Sequence, residues 1–268
     1  MEINVSGQPA YVYTGGKKLA REAIAQQPVV VFIHGAQQDH SCWGLQSRWF
    51  AHHGYSVLVP DLPGHGRSDG EALPSIEALA EWIVALLDAA GVEKAIVIGH
   101  SMGSLVALEV ATRFLGRVAK AALIGTSLPM PVSQALLDAT RDDEPKAVAM
   151  INAFSYSASG QIGGNTVPGL WLLGMNQRLM ERQKKGVFHV DMTACNAYAR
   201  SPESLAGIAA PLLIIAGSQD RMTSPKAAKA LLGFIPGARL VSIEGSGHAL
   251  MAERPDAVLD ALRAFVAS

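Results

Sequence analysis

Short apolar runs, most of them rich in β-branched residues, alternate along the chain with amphipathic segments. The runs lie at residues 29–33, 56–59, 95–98, 118–124, 212–216 and 239–243. The segments with helical spacing of apolar positions lie at residues 43–53, 74–90, 105–114, 225–232 and 255–266. Continuous apolar runs are typical of strands that are buried on both faces of a parallel sheet. We therefore predict an α/β fold with one mostly parallel sheet flanked by helices.

The alternation stops between residues 128 and 202. This stretch has helical patterns but no clear apolar strand, and it holds five of the nine methionines, at positions 130, 150, 175, 180 and 192. We predict a core domain built from residues 1–127 and 203–268, with a helical cap inserted at 128–202. The methionines have two interpretations, which are ordinary core filling and the lining of an adaptable apolar pocket.

Charge and composition exclude several classes of partner. The formal net charge is −1 and the sequence pI is about 6.7, with no basic stripe for nucleic acid. One basic cluster, with arginines at 178 and 182 and lysines at 184 and 185, is interpreted as a solvated helix face. No apolar run approaches the ~18 residues that span a bilayer, and no signal-peptide pattern is visible. With Cys42 and Cys195 far apart in sequence, we expect a cytoplasmic protein.

A candidate nucleophile follows the strand at 95–98. The pentapeptide Gly99-His100-Ser101-Met102-Gly103 lies between that strand and a helical pattern. In this context Gly-x-Ser-x-Gly predicts a nucleophile elbow, in which small neighbours let the backbones pass and a helix N-terminus favours negative charge. The alternative interpretation is an ordinary strand-to-helix turn.

Two further candidates follow later strands. Asp220 comes after the run at 212–216, and His248 comes after the run at 239–243. Because the carboxyl ends of parallel strands meet at one edge of a sheet, we expect Ser101, Asp220 and His248 to lie together. The order nucleophile, acid, histidine is the chain order of α/β-hydrolase triads. Glu244 is nearer to His248 in sequence, but we expect it at the rim or capping the strand.

These motifs give the chain its resemblance to the α/β-hydrolase superfamily, in the capped, single-domain form. The residues that carry the resemblance are His34-Gly35-Ala36, residues 61–68, residues 99–103, Asp220 and Gly247-His248. Some members of this family carry the acid after the strand that corresponds to 118–124, but the loop at 125–128 has no carboxylate. Dehalogenases and epoxide hydrolases of similar shape have an aspartate at the elbow, and Ser101 argues against both.

The chemistry assigns a role to each residue. A serine hydroxyl needs a base within hydrogen-bond reach, and His248 is that base. Asp220 fixes the tautomer of His248 and stabilises the imidazolium. The backbone N–H of Met102, the residue after the nucleophile, serves the oxyanion hole. The resemblance implies that Ala36 supplies the second donor, and each such donor is worth about 3 kcal/mol in other systems.

Other residues near these motifs have structural interpretations. We expect His34 and His65 to bond backbone groups near the pocket, and His40 and Trp43 are candidates for its entrance. A structural loop network is expected from Asp61, Arg67 and Asp69. No cluster has metal-ligand spacing and no loop has the phosphate-binding pattern, so we expect neither a metal nor a cofactor.

The sequence therefore predicts a serine hydrolase that cleaves a small to medium, largely apolar carboxylic ester through an acyl-enzyme. Within the same fold, hydrolysis of a lactone, a thioester or a C–C bond of a diketone-like substrate stays open. A slow-turnover binding or receptor protein on the same scaffold is the alternative of another class. We expect a small-molecule substrate and neither a nucleic-acid nor a membrane partner, and the oligomeric state stays open. The glycine-rich stretch at 157–169 is a candidate flap.

Overall fold

Eight strands form a single sheet in the computed structural model, which describes residues 1–164, 166 and 169–268. The strands are β1 (Glu2–Val5), β2 (Gln8–Tyr13), β3 (Val29–Ile33), β4 (Ser56–Pro60), β5 (Ala95–His100), β6 (Val118–Ile124), β7 (Leu212–Gly217) and β8 (Arg239–Ile243). Their order in the sheet is β1-β2-β4-β3-β5-β6-β7-β8. Strands β3 to β8 pair in parallel, and β2 pairs antiparallel with both β1 and β4. The predicted fold, a mostly parallel sheet flanked by helices, is confirmed.

Helices connect the parallel strands. They are α1 (Gly44–Ala51), α2 (Ile76–Ala89), α3 (Met102–Arg113), α4 (Gln134–Asp142), α5 (Glu144–Ser155), α6 (Ala158–Gln161), α7 (Leu172–Glu181), α8 (Val187–Ala197), α9 (Pro202–Ala206), α10 (Pro225–Ala230), α11 (Leu250–Glu253) and α12 (Pro255–Ala267). The sequence did not predict α6, α9 and α11, because four or five residues are too few to show a helical period. Helix α4 begins after Ser133, whose hydroxyl accepts a hydrogen bond from Leu136 N.

Side chains on the two faces of the sheet enter separate apolar layers. In β3, Val31 and Ile33 pack with α2 and α3, whereas Val30 and Phe32 pack with α1 and α12. The Phe32 ring lies 5.1 Å from the Trp43 ring, measured between centroids. With both faces covered by helices, the carboxyl edge of the sheet is the place where a ligand can reach the strands.

Helices α4 to α8 lie between β6 and β7, and α4, α5, α7 and α8 form a small apolar cluster of their own. Its members are Ala139, Ala147, Val148, Ile151, Met180, Phe188 and Met192. Ala36, after β3, and Met222, after β7, pack against this cluster. The helices between β6 and β7 therefore contact loops at the carboxyl edge of the sheet. Of the predicted flap at 157–169, residues 165, 167 and 168 lie outside the described residues.

Among the helices in the described part of the chain, none combines the length and the apolar character that crossing a membrane requires.

Candidate active site

Ser101 occupies a strained turn between β5 and α3. Its backbone has φ 53° and ψ −120°, a region that a residue with a side chain rarely adopts. A Cβ on Gly99 would collide with the backbone of Gly103, and a Cβ on Gly103 would collide with the carbonyl oxygens that end β3. The two glycines of the pentapeptide are thus required by close backbone approach. The amide of Ser101 donates to Ile124 O at 2.9 Å, which ties the turn to β6.

Asp220 and His248, from the loops after β7 and β8, meet through a hydrogen bond. The His248 Nδ1 lies 2.8 Å from Asp220 Oδ2. Asp220 also accepts hydrogen bonds from Met222 N at 2.8 Å and from the Thr223 amide and hydroxyl at 2.9 and 2.7 Å. Burial alone raises the pKa of Asp220, but the charge and hydrogen bond of His248 and the Thr223 donors outweigh burial, and the pKa lies below its usual value.

An ionised Asp220 accepts only, so Nδ1 of His248 is the donor and Nε2 carries the lone pair. This Nε2 atom is buried and has no hydrogen-bond partner among the described residues. His248 lines the same cavity as Ser101. The structure thus brings the three predicted residues to one edge of the sheet, where Asp220 contacts His248 and His248 shares a cavity with Ser101.

The two predicted oxyanion donors also lie at this cavity or beside it. Met102 is the first residue of α3, so its amide precedes the hydrogen bonds within the helix. Ala36 lines the cavity together with Ser101. The amides on either side of Ala36 are both occupied: Gly35 N donates to Gln38 Oε1 at 3.3 Å, and Gln37 N donates to Asp191 Oδ2 at 2.8 Å.

Two buried histidines beside the site are neutral. His34 donates from Nδ1 to Gly35 O at 2.8 Å and accepts from Leu62 N at Nε2, at 3.0 Å. A proton on Nε2 would face the N–H of Leu62, and burial lowers the pKa of His34 to about 4. His100 donates from Nε2 to His248 O at 2.9 Å, and burial lowers its pKa to about 3. The predicted backbone contacts of His34 are confirmed.

Comparison with known proteins identifies the family of this chain. Residues 30–261 match the sequence profile of the alpha/beta hydrolase family. The chain belongs to this family. A non-heme chloroperoxidase from Streptomyces lividans is 31% identical over 266 residues, which cover 89% of this chain and 91% of that protein. A 2-hydroxy-6-oxo-6-phenylhexa-2,4-dienoate hydrolase from Burkholderia cepacia is 29% identical, over 87% of this chain and 85% of its own length.

Among solved structures, an N-acyl homoserine lactone degrading enzyme superposes with a TM-score of 0.83 at 26% identity. The superposition covers 99% of this chain and 100% of that one. These similar proteins carry different activity names. Membership of the alpha/beta hydrolase family therefore fixes the scaffold of this hydrolase and leaves its substrate to the residues around the site.

Three cavities adjoin one another at the serine of this hydrolase. A small one of about 30 Å³ and one of about 270 Å³ are both lined by Ser101 and His248. A third, of about 610 Å³, shares His100 and Asn176 with the small one. The small cavity thus shares lining residues with both larger ones, and Ser101 lines the first two cavities.

Both interpretations of the methionines apply, each to part of the set. Met130, Met150 and Met192 line the 270 Å³ cavity, and Met222, from outside the predicted cap, joins them. Met180 and Met192 also belong to the apolar cluster of α4 to α8. The flexible thioether side chains of this insertion therefore form part of the wall that a ligand would meet.

Buried carboxylates join the helices between β6 and β7 to the loop after β3, and the sequence did not reveal them. Asp191 on α8 accepts from Gln37 N at 2.8 Å and from His65 Nε2 at 2.9 Å. Asp39 accepts hydrogen bonds from Arg182 Nε at 2.9 Å and from Arg182 Nη2 at 2.6 and 2.7 Å. Arg182 is exposed, as a solvated helix face requires, and its guanidinium in addition holds α7 to that loop.

Glu253 on α11 likewise joins the segment between β6 and β7 to the loop that holds His248. Its carboxylate accepts from Gly247 N at 2.6 Å and from the Ser157 amide and hydroxyl at 2.9 and 2.6 Å. Ser157 is 96 residues away in sequence, so no local pattern signals the contact. Glu244, the other nearby carboxylate, is exposed.

The candidates for the pocket entrance are wrong. Trp43 is fully buried in the layer between the sheet and α1 and α12, against Phe32. His40 donates from Nδ1 to Asp61 Oδ1 at 2.7 Å. Neither side chain lines the three cavities at Ser101. Both residues were candidates because they follow β3, whose carboxyl end lies at the site. They belong to a short 3-10 helix, His40–Trp43, in which Trp43 is buried.

The loops after β3 and β4 bring together Asp39, His40 and Asp61, whose ligand-type atoms lie within 4.8 Å of one another. Sequence spacing did not predict this cluster, because Asp61 comes from another loop. Its oxygens are already hydrogen-bonded: Asp61 accepts from the His40 amide and ring and from Arg67 N at 2.9 Å. The cluster is thus a loop network, as predicted for Asp61 and Arg67, although Asp69 is exposed.

Proposed function

We propose that the protein is a serine hydrolase that cleaves small to medium, largely apolar carboxylic esters through an acyl-enzyme. The observation that carries the proposal is the pairing of Asp220 with His248. The ionised acid fixes the proton on Nδ1, and the buried Nε2, which has no hydrogen-bond partner among the described residues, is left to act as the base for Ser101.

Each step of the reaction has a residue to perform it. Ser101 Oγ attacks the ester carbonyl while His248 Nε2 takes the hydroxyl proton. The amides of Ala36 and Met102 donate to the oxygen that becomes negative, and each donor is worth about 3 kcal/mol. His248 then returns the proton to the departing alcohol. Water, activated by the same histidine, hydrolyses the acyl-enzyme.

The cavity supports the substrate class. A volume of about 270 Å³ lies near the lower end of ligand pockets, which run from about 300 to 1,000 Å³. Apolar side chains such as Ile151 and Met192 form its wall. We assign residues 128–202 as the cap domain and residues 1–127 and 203–268 as the core, so that the cap selects which acyl or alcohol group reaches Ser101.

A second candidate reaction is supported by the relatives. One relative is named for the hydrolysis of a 2-hydroxy-6-oxo dienoate, and one structural neighbour degrades N-acyl homoserine lactones. A lactone is a cyclic ester, so its opening uses the same acyl-enzyme. Cleavage of a C–C bond beside a ketone would use the same oxyanion donors.

Turnover of p-nitrophenyl esters tests the proposal. We expect the highest kcat/KM for short to medium acyl chains and a fall for long ones. Ser101→Ala is expected to lower kcat by about 10⁴-fold or more. Ser75→Ala is the matched control, because Ser75 caps α2 through Ala78 N and lines none of the cavities at Ser101.

Three outcomes separate the alternatives. Turnover of esters that is lost in Ser101→Ala and kept in Ser75→Ala supports the ester hydrolase. Preference for a lactone or a dienoate over every ester moves the assignment to the second candidate. A folded protein that binds esters without turnover overturns the enzyme and favours the binding protein.

A further inference from the structure

The loop between β3 and the 3-10 helix, residues 34–38, holds one of the two oxyanion donors, and we name it the oxyanion loop. Gln37 in this loop has φ 55°, a left-handed conformation that is strained for a residue with a side chain. External contacts must therefore hold it. Gln37 N donates to Asp191 Oδ2 at 2.8 Å, and Gln37 Nε2 donates to Met180 O at 3.2 Å.

The carboxylate of Asp191 has a charged partner. His65 has a carbonyl oxygen, Pro63 O, 2.9 Å from Nδ1 and Asp191 Oδ2 2.9 Å from Nε2. Because both neighbours only accept, both nitrogens must donate, and His65 is an imidazolium. The side chains of His65 and Asp191 are 0% and 1% exposed, so this ion pair lies in the interior.

The charges around His65 and Asp191 also favour the imidazolium form of His65. Burial lowers the pKa of His65, but the charge and hydrogen bond of Asp191 outweigh it, and Asp61 adds to them, so that the pKa is raised. The neighbouring ring of His34, at 4.9 Å, is neutral. One oxygen, Asp191 Oδ2, thus accepts from both the imidazolium and the amide of Gln37.

We propose that Asp191 is a positioning residue for the oxyanion hole: its carboxylate, fixed by His65, holds Gln37 N and thereby orients the amide of Ala36 toward the reacting oxygen. The inference rests on the proposed function. Asp191 belongs to α8, so the same contact couples the position of the cap helices to the oxyanion donor. The site is then competent only while α8 is seated on the oxyanion loop.

The removal of this contact is expected to act on the transition state more than on substrate binding. A donor displaced by about 1 Å costs up to about 100-fold in rate. We expect Asp191→Ala to lower kcat between about 10- and 100-fold, with KM changed less than about threefold. Asp191→Asn keeps an oxygen that accepts but loses the charge. Its effect on kcat is expected to be smaller, and nitrogen NMR of His65 is expected to lose the imidazolium signal.

The control variant is Tyr198→Phe. The Tyr198 hydroxyl donates to Glu109 on α3 at 2.8 Å, a buried contact at the end of the same insertion that does not touch the oxyanion loop. A merely structural role predicts similar losses in both variants. A positioning role predicts a loss of kcat in Asp191→Ala alone, with a parallel loss of affinity for a trifluoromethyl ketone, whose adduct oxygen occupies the oxyanion hole.

Hydrogen exchange of the segment 34–38 provides a readout that needs no turnover. Faster exchange there in Asp191→Ala than in Tyr198→Phe supports the inference. Unchanged exchange, unchanged kcat, or an effect on KM alone overturns it. If Asp191→Ala does not fold, Asp191→Asn is judged by the same readouts: a smaller but measurable loss of kcat with faster exchange supports the inference, and no change in either overturns it. Failure of the proposed function is a different result, in which the wild-type protein itself neither turns over esters nor binds the trifluoromethyl ketone.

Discussion

Two neutral buried histidines make the fold sensitive to mild acid. The pKa of His34 is lowered to about 4 and that of His100 to about 3, in each case by burial, against about 6.5 in an unfolded chain. Below pH 6.5 the unfolded chain binds protons at both residues that the folded chain does not. The free energy of unfolding therefore falls as the pH falls from 6.5 toward the folded values.

The size of the loss follows from the two pKa values. At pH 5 each histidine costs roughly 2 kcal/mol, so the change from pH 7 to pH 5 is about 4 kcal/mol, with a slope of about 2 kcal/mol per pH unit near pH 5.5. This is a large share of the ~5–15 kcal/mol by which domains are stable. The raised pKa of His65 acts in the opposite direction, and only in the upper part of this window, because its contribution is complete below about pH 6.5 and is lost as the pH rises through the folded value. Asp220, with its lowered pKa, loses its contribution only below about pH 4.

Urea unfolding, followed by tryptophan fluorescence at several pH values from 7 to 5, measures this loss. We expect the midpoint to fall steadily while the m-value stays constant. Nitrogen NMR of the imidazoles is expected to find His34 neutral at pH 5.5, with its proton on Nδ1. A free energy of unfolding that changes by less than about 1 kcal/mol over this range, or a charged His34 at pH 6, would refute the reasoning.

Three further predictions concern single residues. Asp220→Asn is expected to lower kcat about 10⁴-fold with an intact fold, because an amide that donates to Nδ1 selects the wrong tautomer; a loss below about 10-fold in ester turnover would remove Asp220 from this role. Gly103→Ala is expected to unfold or inactivate the protein, since its Cβ would overlap backbone carbonyls at the end of β3, whereas Gly116→Ala, with nothing within 4 Å of the added atom, should keep its melting temperature. Glu253→Ala leaves buried donors unpaired and should cost about 3 kcal/mol in urea unfolding, while the exposed Glu244→Ala should stay within about 0.5 kcal/mol; equal effects of the two would contradict the anchoring role of Glu253.

The sheet and the candidate site were readable from the sequence for a physical reason. Strands such as β3 and β5 are buried on both faces, so each is an uninterrupted apolar run, and parallel strands end at one edge. Ser101, Asp220 and His248 each follow such a run within a few residues. Local chemistry and strand order together therefore located them without knowledge of the helices in between.

The contacts that hold the insertion were not readable. Asp191 and Gln37 are 154 residues apart, and His65 and Asp191 are 126 apart. In sequence, Asp191 is one carboxylate on a helix, a position that is usually solvated. Its structural role depends on a tertiary contact, and so does the burial of Trp43. The periodicity of apolar residues along the chain does not predict such contacts.

Labelling with a fluorophosphonate, followed by mass spectrometry, tests the role of Ser101 most directly. The tryptic peptide 95–113, released by cleavage after Lys94 and Arg113, carries the serine. We predict one label for each folded chain, assigned to Ser101 by fragmentation, and a much slower reaction when His248 is replaced by alanine. A folded wild-type protein that takes no label, or takes it on another residue, would contradict the assignment of Ser101 as the nucleophile.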